Sequence, residues 1–341
     1  MTQILKEDLK SPSKFNKKFK DYILSLKDFV LNEYKIVFNE EEIGDLLLSI
    51  CRVDELNNKF NDEFENKNKF GVIYKRDNKM FLNKENVEKW IKEKLIPSTV
   101  ILRLDNEDII RLLIFCIEIT YQMFSGGTKA TITQKGFRER RRSFESILVD
   151  QFVGKLGEIF VKKYLEQNFS INVELDWEIS TQIEKYKNDI INANKKVSIK
   201  SSPNLAGIWA EADIGYEYGI MVKCSVPQQP ILQFFTEACG FSKLLNFAEN
   251  KIPSEDLIFK NYLGKLRERI EKYRCGEIQT VLKGFICGYF KTSEHSPIKK
   301  DTKLEYLGNV REERFLLPIS CLKWTQNEWK LFLKETGLLN E

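Results

Sequence analysis

The chain is short of the residues on which much of enzyme chemistry depends. It has one histidine, His295, in 341 residues, whereas Ser-His-Asp and Cys-His triads, His-ligated zinc sites and His-based nucleases all need a well-placed imidazole. Most of those chemistries are excluded at once. Its seven cysteines, at 51, 116, 224, 239, 275, 287 and 321, are never closer than 12 residues apart. No Cys-x-x-Cys pair is therefore present for zinc, iron–sulfur or redox work, and reduced thiols are expected. No apolar run approaches the ~18 residues that a bilayer span requires. The first 13 residues are polar and lack a cationic stretch leading into an apolar core, so a cytoplasmic protein is expected. An excess of one charge is missing too: 54 Lys plus Arg against 50 Asp plus Glu leave +4, a balance that by itself gives no argument for a polyanion partner. The one glycine cluster, Ser125-Gly126-Gly127-Thr128-Lys129, lacks the spacing with which a P-loop surrounds a phosphate. Nucleotide-driven chemistry loses its usual support.

What is present is a globular composition, 42% hydrophobic, with strong periodicity. Apolar residues recur at helical spacing over 15–34, 41–50, 83–95 and 105–124. Residues 70–82 alternate around Arg76-Asp77-Asn78-Lys79, the pattern of a hairpin. Two helices followed by a hairpin fit either generic helical packing or a winged-helix DNA reader. The glycine cluster is a natural boundary and divides the chain into a mainly helical domain, 1–128, and a second domain, 129–341.

The second domain begins with a charge run. Lys129, Lys135, Arg138, Arg140, Arg141 and Arg142 face one acid, Glu139, within 14 residues, so the positive charge of the whole chain is concentrated here. Such a run suits contacts to the phosphates of a duplex; a solvated helix face is the alternative. A helix over about 143–167 follows, then short strands at 171–177, 188–191, 195–202 and 216–225. Helices are expected at 232–249 and 254–273, a buried strand at 281–290, a further strand at 314–319 and a last helix at 326–335. Cys224 and Cys287 fall in expected buried strands and are expected to be inert, whereas His295 lies in a polar turn. This order predicts an α/β (α+β) fold with a mixed central sheet flanked by helices.

Chemistry concentrates between 150 and 225. In Lys195-Lys196-Val197-Ser198-Ile199-Lys200-Ser201-Ser202, strand alternation points Val197 and Ile199 into a core and puts Lys196, Ser198, Lys200 and Ser202 on the other face. Asp189 on the preceding short strand is within reach of that face. Upstream, Gly154-Lys155-Leu156-Gly157-Glu158-Ile159-Phe160 has an apolar helical stripe with Glu158 at its edge. The two glycines are poor helix formers and suggest a close approach to the sheet. Two carboxylates and a lysine fit hydrolysis of a phosphodiester: Asp189, Glu158 and the Ile199 carbonyl are hard oxygen donors for Mg²⁺, and Lys200 would position water and stabilise the transition-state charge. No histidine is needed.

In order and environment, Glu158 on a helix, Asp189 on a strand and Ser198-Ile199-Lys200 on the next resemble the PD-(D/E)xK nuclease superfamily, which includes most type II restriction endonucleases. Asn188 stands where a proline often precedes the aspartate, and Ser198 stands where the family usually has an acid. Glu158, Glu211 or Asp213 is available to supply the missing carboxylate. The resemblance implies a restriction-endonuclease-like fold, Glu158, Asp189, Ser198 and Lys200 as the catalytic group, Mg²⁺ as cofactor, and double-stranded DNA as substrate, cut by a homodimer that matches a palindromic site. A structure-specific repair or junction nuclease, or a DNA-binding protein whose site has decayed, would share these features.

Overall fold

The computed structural model describes residues 2–57, 70–77, 79–103, 106–124, 144–178, 188–226, 249–251, 256–272 and 281–339. The basic run at Lys129, Lys135, Arg138, Arg140, Arg141 and Arg142 lies outside these residues, as does nearly all of the helix expected at 232–249.

Near the N-terminus, α1 (Lys17–Tyr34) starts where the Asn16 side chain accepts from the Phe19 N–H and ends at Lys35, which turns left-handed at φ +59°. It packs on α2 (Glu40–Asn57) through Phe19, Ile23, Leu26 and Val30 on one face. The expected hairpin is present. β2 (Ile73–Arg76) and β3 (Lys79–Leu82) pair antiparallel, and β1 (Gln3–Ile4) adds to the other side of β3. The next helix, α3 (Lys84–Trp90), continues through a π-helical turn at Ile91–Leu95 and a short turn at Ile96–Ser98 into β4 (Thr99–Arg103). Beyond β4 come α4 (Glu107–Phe124) and the long α5 (Phe144–Phe169).

The central sheet takes the order β4-β8-β7-β5, where β5 is Val197–Ser202, β7 is Tyr218–Ser225 and β8 is Val281–Lys291. β5 runs parallel to β7, and the other pairs are antiparallel. A bulge shifts the β7–β8 register between Met221 and Val222, where β8 carries Cys287 unmatched. The sheet is covered on both sides. Tyr218, Ile220, Val222 and Cys224 of β7 face a core built with α4, α5, α6 (Leu257–Lys272) and α7 (Gln326–Glu335). Met221, Phe285, Cys287 and Phe290 face a second core shared with α1, α2 and α3 and with a two-stranded sheet of β6 (Trp209–Asp213) and β11 (Arg314–Pro318). A short ribbon, β9 (Lys303–Leu304) with β10 (Gly308–Asn309), precedes β11.

Burial between two layers explains the composition of α5: Phe152, Val153, Leu156, Ile159, Phe160, Val161 and Leu165 are all buried, around much of its circumference. Two glycines let this helix sit close to the sheet. A Cβ at Gly157 would stand 1.7 Å from Ser201 Oγ, and one at Gly284 of β8 would stand 2.3 Å from the Phe160 ring. The close approach expected of both Gly154 and Gly157 is made by Gly157 alone, since a Cβ at Gly154 meets nothing within 4 Å.

Three expectations need correction. The strands expected at 171–177 and 188–191 reduce to a single antiparallel bridge between Leu175 and Ile190. β4 and β6 were not expected. Residues 99–124, on the N-terminal side of the expected boundary at 128, belong to the layers of the second domain: β4 pairs with β8 and α4 packs on α5 in one core. That arrangement gives β8 a partner on its second edge and covers Phe152 and Leu156 from outside. Among the described residues no helix is long and apolar enough to cross a membrane.

Candidate functional site

β5 is the edge strand of the central sheet, and its outer edge is where the chemistry gathers. A strand residue points its N–H and C=O towards the same edge. Asp189 N donates to Val197 O at 3.1 Å, Val197 N donates to Asn188 Oδ1 at 3.0 Å, and Ile199 N donates to Asp189 Oδ2 at 2.6 Å. The Ile199 carbonyl therefore points to the same outer edge as the Asp189 carboxylate, while Ser198 and Lys200 use their main-chain groups in the ladder to β7. Asn188 does local work: besides accepting from Val197, its Oδ1 accepts from Ile190 N at 3.3 Å and its Nδ2 donates to Lys195 O at 3.0 Å, closing the turn between the two segments.

Glu158 arrives from α5, one residue beyond the glycine that touches β5. Its carboxylate is 8% exposed and accepts from Lys155 Nζ at 2.6 Å. Lys155, one turn earlier on the same helix, also donates to the Asp176 carbonyl at 2.6 Å and lies 5.2 Å from the centre of the Phe115 ring and 5.5 Å from that of Trp177. Burial raises the Glu158 carboxyl to about 8; Lys155 opposes the shift and Asp189 adds to it. Asp189 is raised as well, first by burial, against the lowering effects of the Ile199 N–H, Lys155 and Lys200. The two carboxylates thus share one poorly solvated region and disfavour each other's ionisation.

Lys200 reaches away from α5. Its Nζ donates to Asp213 Oδ2 of β6 at 2.6 Å, and its charge still acts on Asp189. Ser201, the next residue, faces α5 instead and donates to the Gly154 carbonyl at 3.3 Å. Ser198 is 1% exposed. Of the other carboxylates considered from sequence, Glu211 accepts from Arg314 Nη1 of β11 at 2.8 Å, and Arg314 also stands 3.8 Å from Asp213. Glu211 is therefore neutralised across the β6–β11 pair, whereas Asp213 is turned to Lys200. The Tyr216 phenol belongs to the same neighbourhood, raised to about 12 by burial and then by Asp189, Asp213 and Glu158.

Glu158, Asp189, Ile199 and Lys200 are thus gathered at one end of β5, joined by Asp213 and by groups that the sequence reading did not single out, Lys155, Asp176 and Tyr216. Lys155 was accessible in principle, because a Lys three residues before a Glu on a helix meets it side by side. Tyr216 carries no such local signal. His295 caps the 3-10 turn after β8, against the Phe290 ring.

Among the described residues no group of three or more His, Cys, Asp or Glu side chains could hold a metal ion. The donor set at the β5 edge is two carboxylates and a main-chain carbonyl. That set fits Mg²⁺, which keeps several waters and commonly takes only one or two protein carboxylates together with substrate phosphate, and it fits poorly the softer ions that favour imidazole or thiolate. Chemically, the arrangement offers hard oxygen donors in a poorly solvated setting, with the Lys200 ammonium on the same strand paired to Asp213. Comparison with family models, with curated proteins and with solved structures found no match to this chain.

Proposed function

We propose that the protein is a Mg²⁺-dependent endonuclease with a restriction-endonuclease-like fold, hydrolysing phosphodiesters of double-stranded DNA at specific sites as a type II restriction enzyme does. The observation that carries the reading is the Asp189 carboxylate anchored on the Ile199 N–H at the open edge of β5, with Glu158 beside it and Lys200 two residues after the start of the Ser198-Ile199-Lys200 motif. Asp189, Glu158 and the Ile199 carbonyl would hold the cation, which would neutralise the scissile phosphate and acidify water near it.

The chain's own groups then divide the work. Asp213 holds the Lys200 ammonium forward, so that Nζ can orient the attacking water and offset the charge that builds on the phosphate. Lys155 opposes the protonation of Glu158 and so favours its cation-binding form, and Ser198 completes the motif without a carboxylate. Lys129, Lys135, Arg138, Arg140, Arg141 and Arg142 would contact DNA phosphates, and a two-fold homodimer would present two such sites to a palindrome.

The test is incubation of the protein with plasmid DNA, with and without Mg²⁺. Discrete fragments that need Mg²⁺ are expected, and Asp189→Ala and Lys200→Ala should bind DNA without cutting it. Undiminished cutting by Asp189→Ala overturns the assignment. One observation favours a second reading, a DNA-binding protein with a decayed nuclease site: Glu158 is already neutralised by Lys155 while Ser198 supplies no acid. Calorimetry that records DNA binding but no heat with Mg²⁺ selects that alternative, and cleavage that follows DNA shape rather than sequence selects a junction nuclease.

A further inference from the structure

The face of the central sheet opposite α5 buries three lysines, and they are not treated alike. Lys283 of β8 is 7% exposed and donates to both oxygens of Glu42 from α2, at 2.5 and 2.7 Å, while Ser225 Oγ donates to the same carboxylate at 2.5 Å. That charge is neutralised. Lys223 of β7 is 1% exposed and has a single bond, to the Leu205 carbonyl at 2.7 Å. Lys94, in the π-helical turn, is 7% exposed and has only the Trp324 ring, 5.3 Å from its Nζ to the centroid. Among the described residues neither Lys94 nor Lys223 is ion-paired with a carboxylate.

Both of these lysines line one half-open pocket with about 30 Å³ of space, together with Leu46, Trp90, Phe285 and Cys287. The Trp324 indole N–H, on the ring that Lys94 covers, is buried without an acceptor. The lining hydroxyls of Ser49 and Ser98 spend their protons on the Leu46 and Leu95 carbonyls. Two buried ammonium groups that repel each other, near an indole N–H with nothing to donate to, are costly unless negative charge is supplied.

We propose that this pocket binds a small inorganic anion, chloride in physiological salt, between the ammonium groups of Lys94 and Lys223. The space is small: since one water needs roughly 10–15 Å³, it takes about two water-sized bodies, which suits a small inorganic anion. The location gives the anion a structural task. Lys94 belongs to the N-terminal helical layer and Lys223 to the sheet, so one ion would tie the two across their interface.

Burial lowers both lysines to about 8, Lys94 acting further on Lys223; Cys287, Cys321 and Glu328 face Lys94, and Cys287, Asp45 and Arg52 face Lys223. A bound anion favours the protonated forms, so affinity should fall as pH rises past 8.

Crystals of the full chain grown or soaked in sodium bromide provide the test. An anomalous-scattering peak inside the cavity, in contact with both Nζ atoms, is expected, and bromide confined to the outer surface overturns the proposal. In solution, chloride or bromide at fixed ionic strength should raise the melting temperature relative to gluconate in a saturable way, and Lys94→Met should lose that response. Equal melting in chloride and gluconate also overturns it, and if Lys94→Met does not fold, the wild-type bromide map decides alone.

Discussion

Replacing Gly157 by alanine tests the packing that brings Glu158 to the sheet. The new Cβ would lie 1.7 Å from Ser201 Oγ, 2.7 Å from Ser201 Cβ and 3.6 Å from Val222 Cβ. Rotating the Ser201 hydroxyl removes the first clash and sacrifices its bond to the Gly154 carbonyl, about 0.5–1.5 kcal/mol. The second clash is between carbons that normally approach no closer than about 3.5–4 Å, so α5 must move away from β5 by roughly 1 Å. Overpacking of this kind costs about 1–3 kcal/mol, offset by up to ~1 kcal/mol of helix propensity gained. Gly154 is the internal control. It lies in the same helix with open space at its Cβ position, so Gly154→Ala should stabilise by about 0.5–1 kcal/mol. Urea unfolding of the two variants should separate them by about 2 kcal/mol, with Gly157→Ala the weaker. Adding Ser201→Gly to Gly157→Ala should restore most of the loss, because both colliding atoms go with the serine side chain. A Gly157→Ala protein as stable as Gly154→Ala would refute the close approach and, with it, the placement of Glu158 next to Asp189.

Other outcomes follow from the charges. The Glu158 carboxyl, raised from 4.5 to about 8 by burial, keeps its proton in the folded protein after the unfolded chain has lost it. Its contribution to stability is therefore complete below 4.5 and is lost as pH rises towards 8, and Glu158→Gln should flatten that part of the stability curve measured by denaturant melts. For the same reason Mg²⁺ affinity measured by calorimetry should tighten from pH 6 to pH 8, since the cation must displace the proton; a flat profile would argue against Glu158 as a ligand. In the second core, Lys283→Met leaves Glu42 buried with only the Ser225 hydroxyl and the Asn39 N–H as partners and should cost about 3–5 kcal/mol. The double change Lys283→Met with Glu42→Leu should recover much of that in urea unfolding, and if it recovers nothing the loss is one of packing rather than of charge.

Much of the architecture was legible from local pattern. The 3.6-residue recurrence of Phe19, Ile23, Leu26 and Val30 marks the buried face of α1, and the alternation through Arg76–Lys79 marks the hairpin. Both signals survive because one face of each element is dry and the other wet. β4 escaped because its five residues fall in the short gap between two stretches read as helical, and an isolated Thr-Val-Ile-Leu-Arg does not reveal that β8 has an edge free for it. β6 escaped because its inward residues, Ala210 and Ala212, are small. A Cβ at Gly219 would come 3.0 Å from that of Ala212, so the small side chains reflect the closeness of two layers, which the sequence of either strand alone does not encode.

The site divides along the same line. From residue order alone came the helix bearing Glu158, the strand bearing Ser198-Ile199-Lys200 and the aspartate just before it, because the strand period puts Val197 and Ile199 on the apolar side wherever the strand lies. Tertiary structure decided the partners. Lys155 holds Glu158, Asp213 holds Lys200, and Arg314 holds Glu211. An ion pair depends on which elements the two cores press together, over separations of up to 103 residues for Arg314 and Glu211. The same holds for Lys94 and Lys223, ordinary in sequence and buried without a carboxylate in ion-pair contact only once α2, the π-helical turn and the sheet pack around them. Periodicity is a property of a segment, whereas solvation and neutralising charge belong to the packed whole.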